Sequence, residues 1–387
     1  MKKLLIIGIA ITISFSNSFS QNEVKDFEKK YGEIVINRAT KEAIETINSI
    51  ENVSNKRVAI SKLATQEDFD VVCSSLSWIR KLEIASRNEF INNINSINKL
   101  TSLTELKISS LKSSNDNPLD LNPLKTLVSL KKLDFYATKV KNTDALKVLT
   151  NLEDVSFYMS SVSSISFLEG TPKIKKLNLY GFGHTFENYE PIAKLEYLEE
   201  INIYMNKQAN DENLEPFKSL NSLKKISMSN NKIITTLDFL ENCTQMERID
   251  ASWCTGIADF SALVNMPKLK ILKVSDSKLD NLSFLKDKLN LTTLDVSGTM
   301  ISDISLLSEC VNLEKIDISE TSVTDISALN KCVNIEDINV SKTTVSDISP
   351  LFDCKRIRYL KISSKVPEHQ VEQAKTLYEK IRITVKD

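Results

Sequence analysis

The chain has 387 residues, 41% of them apolar and 26% charged, and its formal net charge is −1. That composition suits a globular protein with a large core and excludes disordered and collagen-like chains. Opposite charges are nearly balanced without a long run of one sign, so nothing favours binding to nucleic acid or to an anionic membrane surface. We therefore expect no nucleic-acid partner.

The first twenty residues predict an export signal. Two lysines precede an apolar run from Leu4 to Ile13, and a serine-rich stretch comes next and ends at Ser20. This is the three-part pattern of a secretory signal peptide, and its apolar run is too short to span a bilayer comfortably. We expect residues 1–20 to be removed, leaving a chain without a membrane span that is periplasmic, secreted or at the cell surface.

Residues 21–56 predict a helical N-terminal cap. Ala43, Ile44, Ile47 and Ile50 recur at helical spacing, which indicates one buried face. Such a cap would cover the first of the repeats in residues 57–365, because stacked repeats expose their core at both ends.

Residues 57–365 carry a repeat with a step of 22 residues in its last copies, such as "LTTLDVSGTMI" and "LEKIDISETSV". Counting each anchor as position one, apolar residues recur at positions one, four, six and eleven. This is the leucine-rich repeat signature of a short strand, a turn and a return segment, so the copies must stack into a curved solenoid with a parallel sheet. About thirteen copies come after a degenerate one near Val58, and their anchors are Ile79, Leu103, Leu130, Leu152, Ile174, Leu198, Leu223, Met246, Leu269, Leu291, Leu313, Ile335 and Ile357.

This pattern resembles the internalin-like class of bacterial leucine-rich repeat proteins. The resemblance implies an α/β repeat protein with the sheet on its concave face, which binds a protein partner there. At position nine that class usually has an asparagine that bonds to loop backbone, whereas here only Asn231 and Asn206 fit the pattern. Serine or threonine takes the place in the later copies, and we expect its hydroxyl to satisfy part of the same backbone. These residues are Ser277, Thr299, Thr321 and Thr343.

Residues 366–387 predict a C-terminal cap made of a helix and a strand. Pro367 suits the start of a helix, and Val371, Ala374, Leu377 and Tyr378 would lie on one side of it. The segment "IRITV" then predicts a closing strand.

Motifs for catalysis are absent from the sequence. The two histidines, His184 and His369, lie far apart, and neither an HExxH motif, a phosphate-binding glycine-rich loop nor a GxSxG elbow occurs. We expect no enzymatic activity, no catalytic residues, no cofactor and no bound metal.

Four of the six cysteines share one place in the repeat, three residues before an anchor, where other copies have leucine or methionine. They are Cys243, Cys310, Cys332 and Cys354. The place is a core position, and a buried free cysteine behaves as a small apolar residue. Packed thiols are the favoured interpretation, although neighbouring strands lie close enough for a disulfide in the last three repeats.

Aspartates also recur in register, two residues after the apolar residue at position eleven: Asp259, Asp303, Asp325 and Asp347. Stacked carboxylates could hold Ca²⁺, but that ion needs six to eight oxygen ligands. We favour structural capping, in which each carboxylate accepts from the backbone of the following turn.

Positions three, five and seven should face the concave side, because residues in a strand alternate between its two faces. Position seven is tyrosine in four consecutive copies and serine or alanine in the others, so the fold does not require an aromatic residue there. A tyrosine supplies contact area with little loss of rotamer entropy, which favours binding. The predicted ligand-binding residues are Tyr136, Tyr158, Tyr180, Tyr204, Lys132, Asp134, Asp154, Lys176, Asn178, Glu200, Asn202, Arg248 and Trp253.

The leading hypothesis is an exported recognition protein that acts as a monomer and binds a protein through this face. Glycan binding by the same aromatic row remains an alternative, as does an envelope scaffold without a dedicated ligand. Longer copies near the tyrosines, with insertions such as "NKQANDEN", also favour a locally selected surface.

Overall fold

A computed structural model describes residues 25–30, 32–85, 87–111, 117–181, 184, 186, 188–378 and 380–387. The predicted signal peptide lies outside these ranges. The strands are β1 Phe27–Lys30, β2 Glu33–Ile36, β3 Arg57–Ile60, β4 Lys81–Ile84, β5 Glu105–Ser109, β6 Leu119–Asp120, β7 Lys132–Tyr136, β8 Val140–Lys141, β9 Asp154–Tyr158, β10 Lys176–Asn178, β11 Glu200–Asn202, β12 Lys225–Ser227, β13 Arg248–Asp250, β14 Ile271–Lys273, β15 Thr293–Asp295, β16 Lys315–Asp317, β17 Asp337–Asn339, β18 Tyr359–Ile362 and β19 Arg382–Val385. The α-helices are α1 Lys41–Asn48, α2 Gln66–Ser75 and α3 Glu368–Leu377.

Short 3₁₀ helices form the return segments of the repeats. They are Val53–Asn55, Asn95–Lys99, Asn122–Thr126, Thr143–Val148, Ser166–Gly170, Glu190–Lys194, Glu215–Ser219, Asp238–Leu240, Ser261–Asn265, Ser283–Leu285, Ser305–Glu309, Ser327–Lys331 and Ser349–Leu351. Among the described residues, no helix is both long and apolar enough to traverse a bilayer.

One seventeen-stranded sheet runs the length of the molecule, and its strands follow the order of the chain. All its pairings are parallel except that of β1 with β2, while β6 and β8 form a separate two-stranded sheet. A strand follows each of the thirteen predicted anchors. The predicted fold class, a leucine-rich repeat solenoid with a parallel sheet, is therefore confirmed.

Alternation along each strand separates the core from the concave face. In β7, Leu133 and Phe135 are fully buried, whereas Lys132, Asp134 and Tyr136 point to the other side. The same period of two holds in the neighbouring strands, since their residues pair in register without a slip. The core is one continuous cluster that extends along the whole solenoid.

The N-terminal end differs from the predicted helical cap. Helix α1 is present, with Thr40 accepting from the Ala43 backbone N–H, but an antiparallel hairpin of β1 and β2 precedes it. Gly32 makes the turn possible with a φ of 85°. Strand β2 then pairs in parallel with β3, so the hairpin itself begins the solenoid sheet.

A second helix, α2, was not predicted. It begins at a capping box in which Thr65 and Asp68 satisfy each other's backbone N–H groups, and it buries Phe69, Val72 and Cys73. Helix α2 lies between β3 and β4, in the place where later repeats have a 3₁₀ return segment.

The C-terminal end has the predicted helix and strand. Pro367 precedes α3, and Ala374 and Tyr378 are buried beneath it, whereas Leu377 stays exposed. The Tyr378 hydroxyl donates to the Leu351 carbonyl over 2.6 Å, and β19 pairs with β18. These contacts cover the open end of the core.

Position nine forms a ladder of hydrogen bonds. Asn231 donates to the carbonyls of Ile203 and Met228, at 2.9 and 2.8 Å. Each hydroxyl of the later copies donates one bond to the position-six carbonyl of its own repeat, as in Thr299 to Val296. The later copies thus form fewer bonds than Asn231, as expected, and Cys254 also belongs to the ladder, since its thiol lies 3.2 Å from the Met228 carbonyl. Asn206 was expected in the ladder, but its buried side-chain amide makes no such bond to a described residue.

All six cysteines are free and buried. Burial raises the pKa of the thiols of Cys243 and Cys332 to about 12, with neighbouring thiols adding to the effect at Cys332. The four cysteines before the anchors occupy the predicted core place. They therefore pack as small apolar side chains.

The recurring aspartates are structural caps. In each case a carboxylate oxygen accepts from the backbone N–H of a serine two residues later, at 2.7 to 2.9 Å. These bonds hold the pKa of Asp259, Asp303 and Asp347 below its ordinary value. Among the described residues, no group of three or more potential ligands is placed to hold a metal ion.

Candidate functional site

The candidate site lies on the concave face over six strands of the main sheet, β7 and β9 to β13. Their position-three residues lie side by side across the sheet, in the predicted register of alternating basic and acidic groups. A cavity of about 530 Å³, here called the central groove, lies over positions three and five of these strands. Eight of the predicted site residues line it: Lys132, Asp134, Asp154, Lys176, Asn178, Glu200, Asn202 and Arg248.

Charges in the central groove are paired with one another. Lys132 lies 2.7 Å from the Asp154 carboxylate, which raises the pKa of Lys132. Glu200 lies between two lysines, 3.3 Å from Lys176 and 2.8 Å from Lys225. Partial burial tends to raise the pKa of Glu200, but the two ammonium groups outweigh it and hold that pKa below its usual range. The charges of the groove are thus largely compensated by one another.

Asn178 and Asn202 also hydrogen-bond to the backbone, a structural role that the sequence did not indicate. The side-chain oxygen of Asn178 accepts from the Tyr180 backbone N–H at 3.0 Å, and Asn202 does the same for Tyr204 at 2.9 Å. These bonds replace a ladder bond at the end of each short strand. Each asparagine therefore orients the tyrosine two residues later and keeps only its amide group for a ligand.

The four tyrosines of position seven, here called the Tyr row, lie along one side of the central groove. Their rings stack in parallel, with centroids 5.5, 4.3 and 4.8 Å apart in succession and interplanar angles of 8°, 3° and 12°. The two inner rings, Tyr158 and Tyr180, therefore have both faces covered by neighbours. Burial between the rings also raises the pKa of Tyr180. The row offers ring edges and hydroxyls along its length, and free faces only at its ends.

Position eight has a left-handed backbone in most of the described repeats, although Ser364 in the last copy does not. Its other non-glycine residues have φ values from 46° to 65°, a region that favours glycine and asparagine. Three copies nevertheless carry large apolar residues there: Met159, Met205 and Trp253. Met159 is 49% exposed and Trp253 is 51% exposed, so neither contributes chiefly to the core.

His184 lies in the core and not beside the groove. It occupies position eleven, where Val140 and Val162 are buried in earlier copies, and its ring is only 6% exposed. Burial lowers its pKa to about 4, and the backbone near Tyr180 and Leu179 only partly opposes that shift.

The insertion "NKQANDEN" forms a tied loop. Asn210 and Asn213 each accept from the other's backbone N–H at 2.9 Å, and Asn213 also donates to the Gln208 carbonyl. The insertion "SSNDNP" falls largely outside the described residues.

A second cavity, of about 260 Å³, lies where the Tyr row ends, and we call it the notch. Tyr204 and Trp253, two of the predicted site residues, line it together with residues that the sequence did not single out for binding. Asp250, Lys273, Ser275 and Asp295 are among these. The change from tyrosine to serine at position seven could have indicated the place, because a small residue beside a ring leaves an open space.

Known proteins share the repeat and the fold. A family model for leucine-rich repeats in two copies matches residues 289–331. No curated protein matches the sequence. An internalin from Listeria monocytogenes is 23% identical with a TM-score of 0.60, covering 82% of this chain and 92% of its own.

Two further solved structures have similar folds. A leucine-rich repeat protein from Leptospira interrogans is 14% identical with a TM-score of 0.63, over 88% of this chain and 93% of its own. A plant peptide hormone receptor in complex with RGF2 is 11% identical with a TM-score of 0.57, over 94% of this chain and 60% of its own. The chain is thus a leucine-rich repeat protein with an internalin-like fold.

Proposed function

We propose that the protein is an exported, non-enzymatic recognition protein that binds a protein partner through its concave face, with the Tyr row at the centre of the contact. Leucine-rich repeat folds serve protein recognition in general, and stacked repeats provide an extended concave surface for it. The export signal expected in residues 1–20 accords with this role.

The observation that carries the proposal is the departure of four adjacent repeats from the serine pattern. From Ser252 to Ser341, the position-seven hydroxyl in most copies bonds to the position-five side chain of its own repeat. Tyrosine gives up that bond and places a partly exposed ring beside the central groove. Serine at position seven is sufficient for the fold of the other repeats. The four tyrosines therefore form an aromatic surface that the fold does not require.

Ring geometry favours a protein over a glycan along the row. A sugar stacks on the face of an aromatic ring, but the faces of Tyr158 and Tyr180 are occupied by their neighbours. Ring edges, hydroxyls and the exposed Met159 suit an irregular protein surface, where tyrosine and methionine are enriched. Paired charges in the groove add polar contacts at its rim.

The test is a pull-down from envelope or host extracts with wild type and a variant carrying Tyr136→Ser, Tyr158→Ser, Tyr180→Ser and Tyr204→Ser. The variant should fold, since serine occupies the same position elsewhere and each stacked pair contributes only about 0.2–1 kcal/mol. We expect a partner that is captured by wild type and lost by the variant. A folded variant that keeps every partner would refute the role of the Tyr row.

A matched control removes four exposed apolar side chains from the return segments or just beyond them: Val148→Ser, Val264→Ser, Val311→Ser and Val333→Ser. This variant should keep the partner. Loss of the partner in both variants would instead indicate non-specific hydrophobic capture. A glycan array with the same proteins checks the alternative ligand class, and a signal that depends on the Tyr row there would favour it.

A further inference from the structure

The notch differs from the rest of the concave face because it offers a free aromatic face. Tyr180 covers one face of Tyr204 at 4.8 Å, and the other face borders the notch. Across the opening stands Trp253, half exposed and held in the left-handed region with a φ of 58°. The buried serines Ser229 and Ser252 form a low floor between the two rings.

Two carboxylates line the same cavity. One oxygen of Asp250 accepts from the hydroxyls of Ser229 and Ser252, at 2.6 and 3.0 Å. One oxygen of Asp295 accepts from Ser297 at 2.7 Å. Burial raises the pKa of Asp295 and the nearby Asp317 adds to this, against the hydrogen bonds from Ser297 and the opposite charge of Lys273. Within the described part of the chain, Asp295 has no ion pair within 4 Å, whereas Arg248 lies 3.9 Å from Asp250.

Ser275 belongs to the floor of the notch and lacks the acceptor that its counterparts have. Its side chain is 6% exposed and lines the notch. The residue at its position five is Lys273, which cannot accept a hydrogen bond, whereas Ser252 and Ser297 have an aspartate there. No described residue is hydrogen-bonded to the Ser275 hydroxyl, so a polar group of a ligand can reach it.

We propose that the notch receives a cationic side chain, an arginine, from the protein partner. The guanidinium plane can stack on the free face of Tyr204 or on Trp253, and its forked donors can reach Asp250 and Asp295. Among the residues that line the notch, two carboxylates face one ammonium, that of Lys273, and Arg248, which pairs with Asp250, lies outside the lining. The lining therefore favours a cation. This inference rests on the proposed function and identifies which chemistry of the partner meets one end of the Tyr row.

A neutral sugar is the competing occupant, since rings and hydroxyl-binding groups also suit it. A cationic ligand is favoured because Asp295 is half-buried and has no described ion pair within 4 Å, whereas a neutral sugar would add no charge to compensate it. The two occupants respond differently to charge changes in the notch, which makes them separable by experiment.

The experiment titrates N-acetyl-arginine amide into the full mature protein and follows tryptophan emission. The chain has two tryptophans. The part of the emission change that disappears in a Trp253→Phe variant comes from Trp253 and therefore reports binding in the notch. N-acetyl-citrulline amide, which has the same shape without the charge, and methyl glucoside are the comparison probes. We expect a saturable response to the arginine probe and at least tenfold weaker binding of citrulline.

Variants that change the charge of the notch test whether the arginine probe binds through that charge. Asp295→Asn should weaken arginine binding about threefold to tenfold, and Lys273→Gln should strengthen it. Asp337→Asn, two strands beyond Asp295 and outside the notch, should change it less than twofold. Equal binding of arginine and citrulline, saturation by methyl glucoside alone, or no response from Trp253 would each overturn the inference. Such a result leaves the proposed function standing if the Tyr-row variant still loses its partner.

Discussion

Position eight shows how one backbone conformation accepts very different side chains. Most repeats have a left-handed residue after the strand, and Asn230, Asp276 and Gly298 suit that region well. Met159, Met205 and Trp253 hold the same conformation at an energetic cost, since an L-residue there is disfavoured by roughly 1–2 kcal/mol. Exposed apolar residues held under strain are typical of binding surfaces.

Met159→Asn should therefore stabilise the protein. Asparagine tolerates the left-handed region, and we expect the free energy of unfolding to rise by about 0.5–1 kcal/mol. Urea denaturation measures it. Met300→Asn is the control, since Met300 is 59% exposed without a positive φ and should change stability little. A Met159 variant that is less stable than wild type would contradict the strain argument.

His184 gives the solenoid a pH dependence that its neighbours lack. Its folded pKa of about 4 lies below the unfolded value near 6.5, so the unfolded state binds the proton first. Stability is therefore full above pH 6.5 and falls as the pH drops toward 4, by up to about 3 kcal/mol.

His184→Val, the residue found at this position in two earlier copies, should remove that loss. We expect the variant to be more stable than wild type and to show a flatter stability profile between pH 6.5 and 4, measured by urea unfolding at each pH. His369→Gln, at the exposed histidine of α3, is the comparison because it removes a histidine without touching the core. An unchanged profile for His184→Val would place the titration elsewhere.

At the scale of the strand and its turn, the repeats follow two local designs. The later copies pair an aspartate or asparagine at position five with a serine at position seven, as in Asp317 and Ser319 at 2.6 Å. The copies with tyrosine exchange this hydroxyl bond for ring stacking. Both designs leave positions four and six buried, which is why a functional surface can be placed on some repeats without altering the core.

The stacked core also determines how the cysteines behave. Burial raises the pKa of the Cys73 thiol to about 12 and that of Cys254 to about 11, so little thiolate forms. We expect the native, unreduced protein to react very slowly with a thiol reagent at pH 8 and to release six equivalents once unfolded in denaturant. A count below six in the unfolded protein would show a disulfide.

Across the whole molecule, stability comes from contacts between neighbouring repeats, as expected for a solenoid. One sheet continues strand by strand from β2 to β19, and a single core runs behind it. The two ends of that core would face solvent if the end units did not cover them. At the C-terminal end Tyr378 does this with a buried ring and a hydrogen bond to Leu351.

Tyr378→Ala should consequently loosen the last repeats. Loss of a buried aromatic residue costs about 3–5 kcal/mol, whereas Tyr378→Phe loses only the hydrogen bond, about 1 kcal/mol. Hydrogen exchange should show protection falling first at β18 and β19 and fading toward β13. Tyr197→Ala, at a 58% exposed tyrosine, should leave exchange unchanged. Uniform loss of protection would contradict the nearest-neighbour view.

The repeat class, the strand positions and the concave register followed from the sequence, because a period of two within a period of 22 leaves one arrangement that buries every apolar position. The C-terminal cap followed from helical spacing after Pro367. The β1–β2 hairpin did not, since its short charged strands have no repeat signal, and α2 lay hidden in a degenerate copy.

The candidate site divides in the same way. Sequence register by itself determined that four tyrosines share one face, because strand alternation is local. Only the tertiary structure decided that their rings cover one another, that Asn178 and Asn202 bond to backbone, that His184 is buried, and that Tyr204 keeps a face open toward Trp253. Those outcomes depend on how side chains pack between repeats. The repeat period determines which residues share a face, but it does not determine side-chain conformations or the distances between side chains on neighbouring strands.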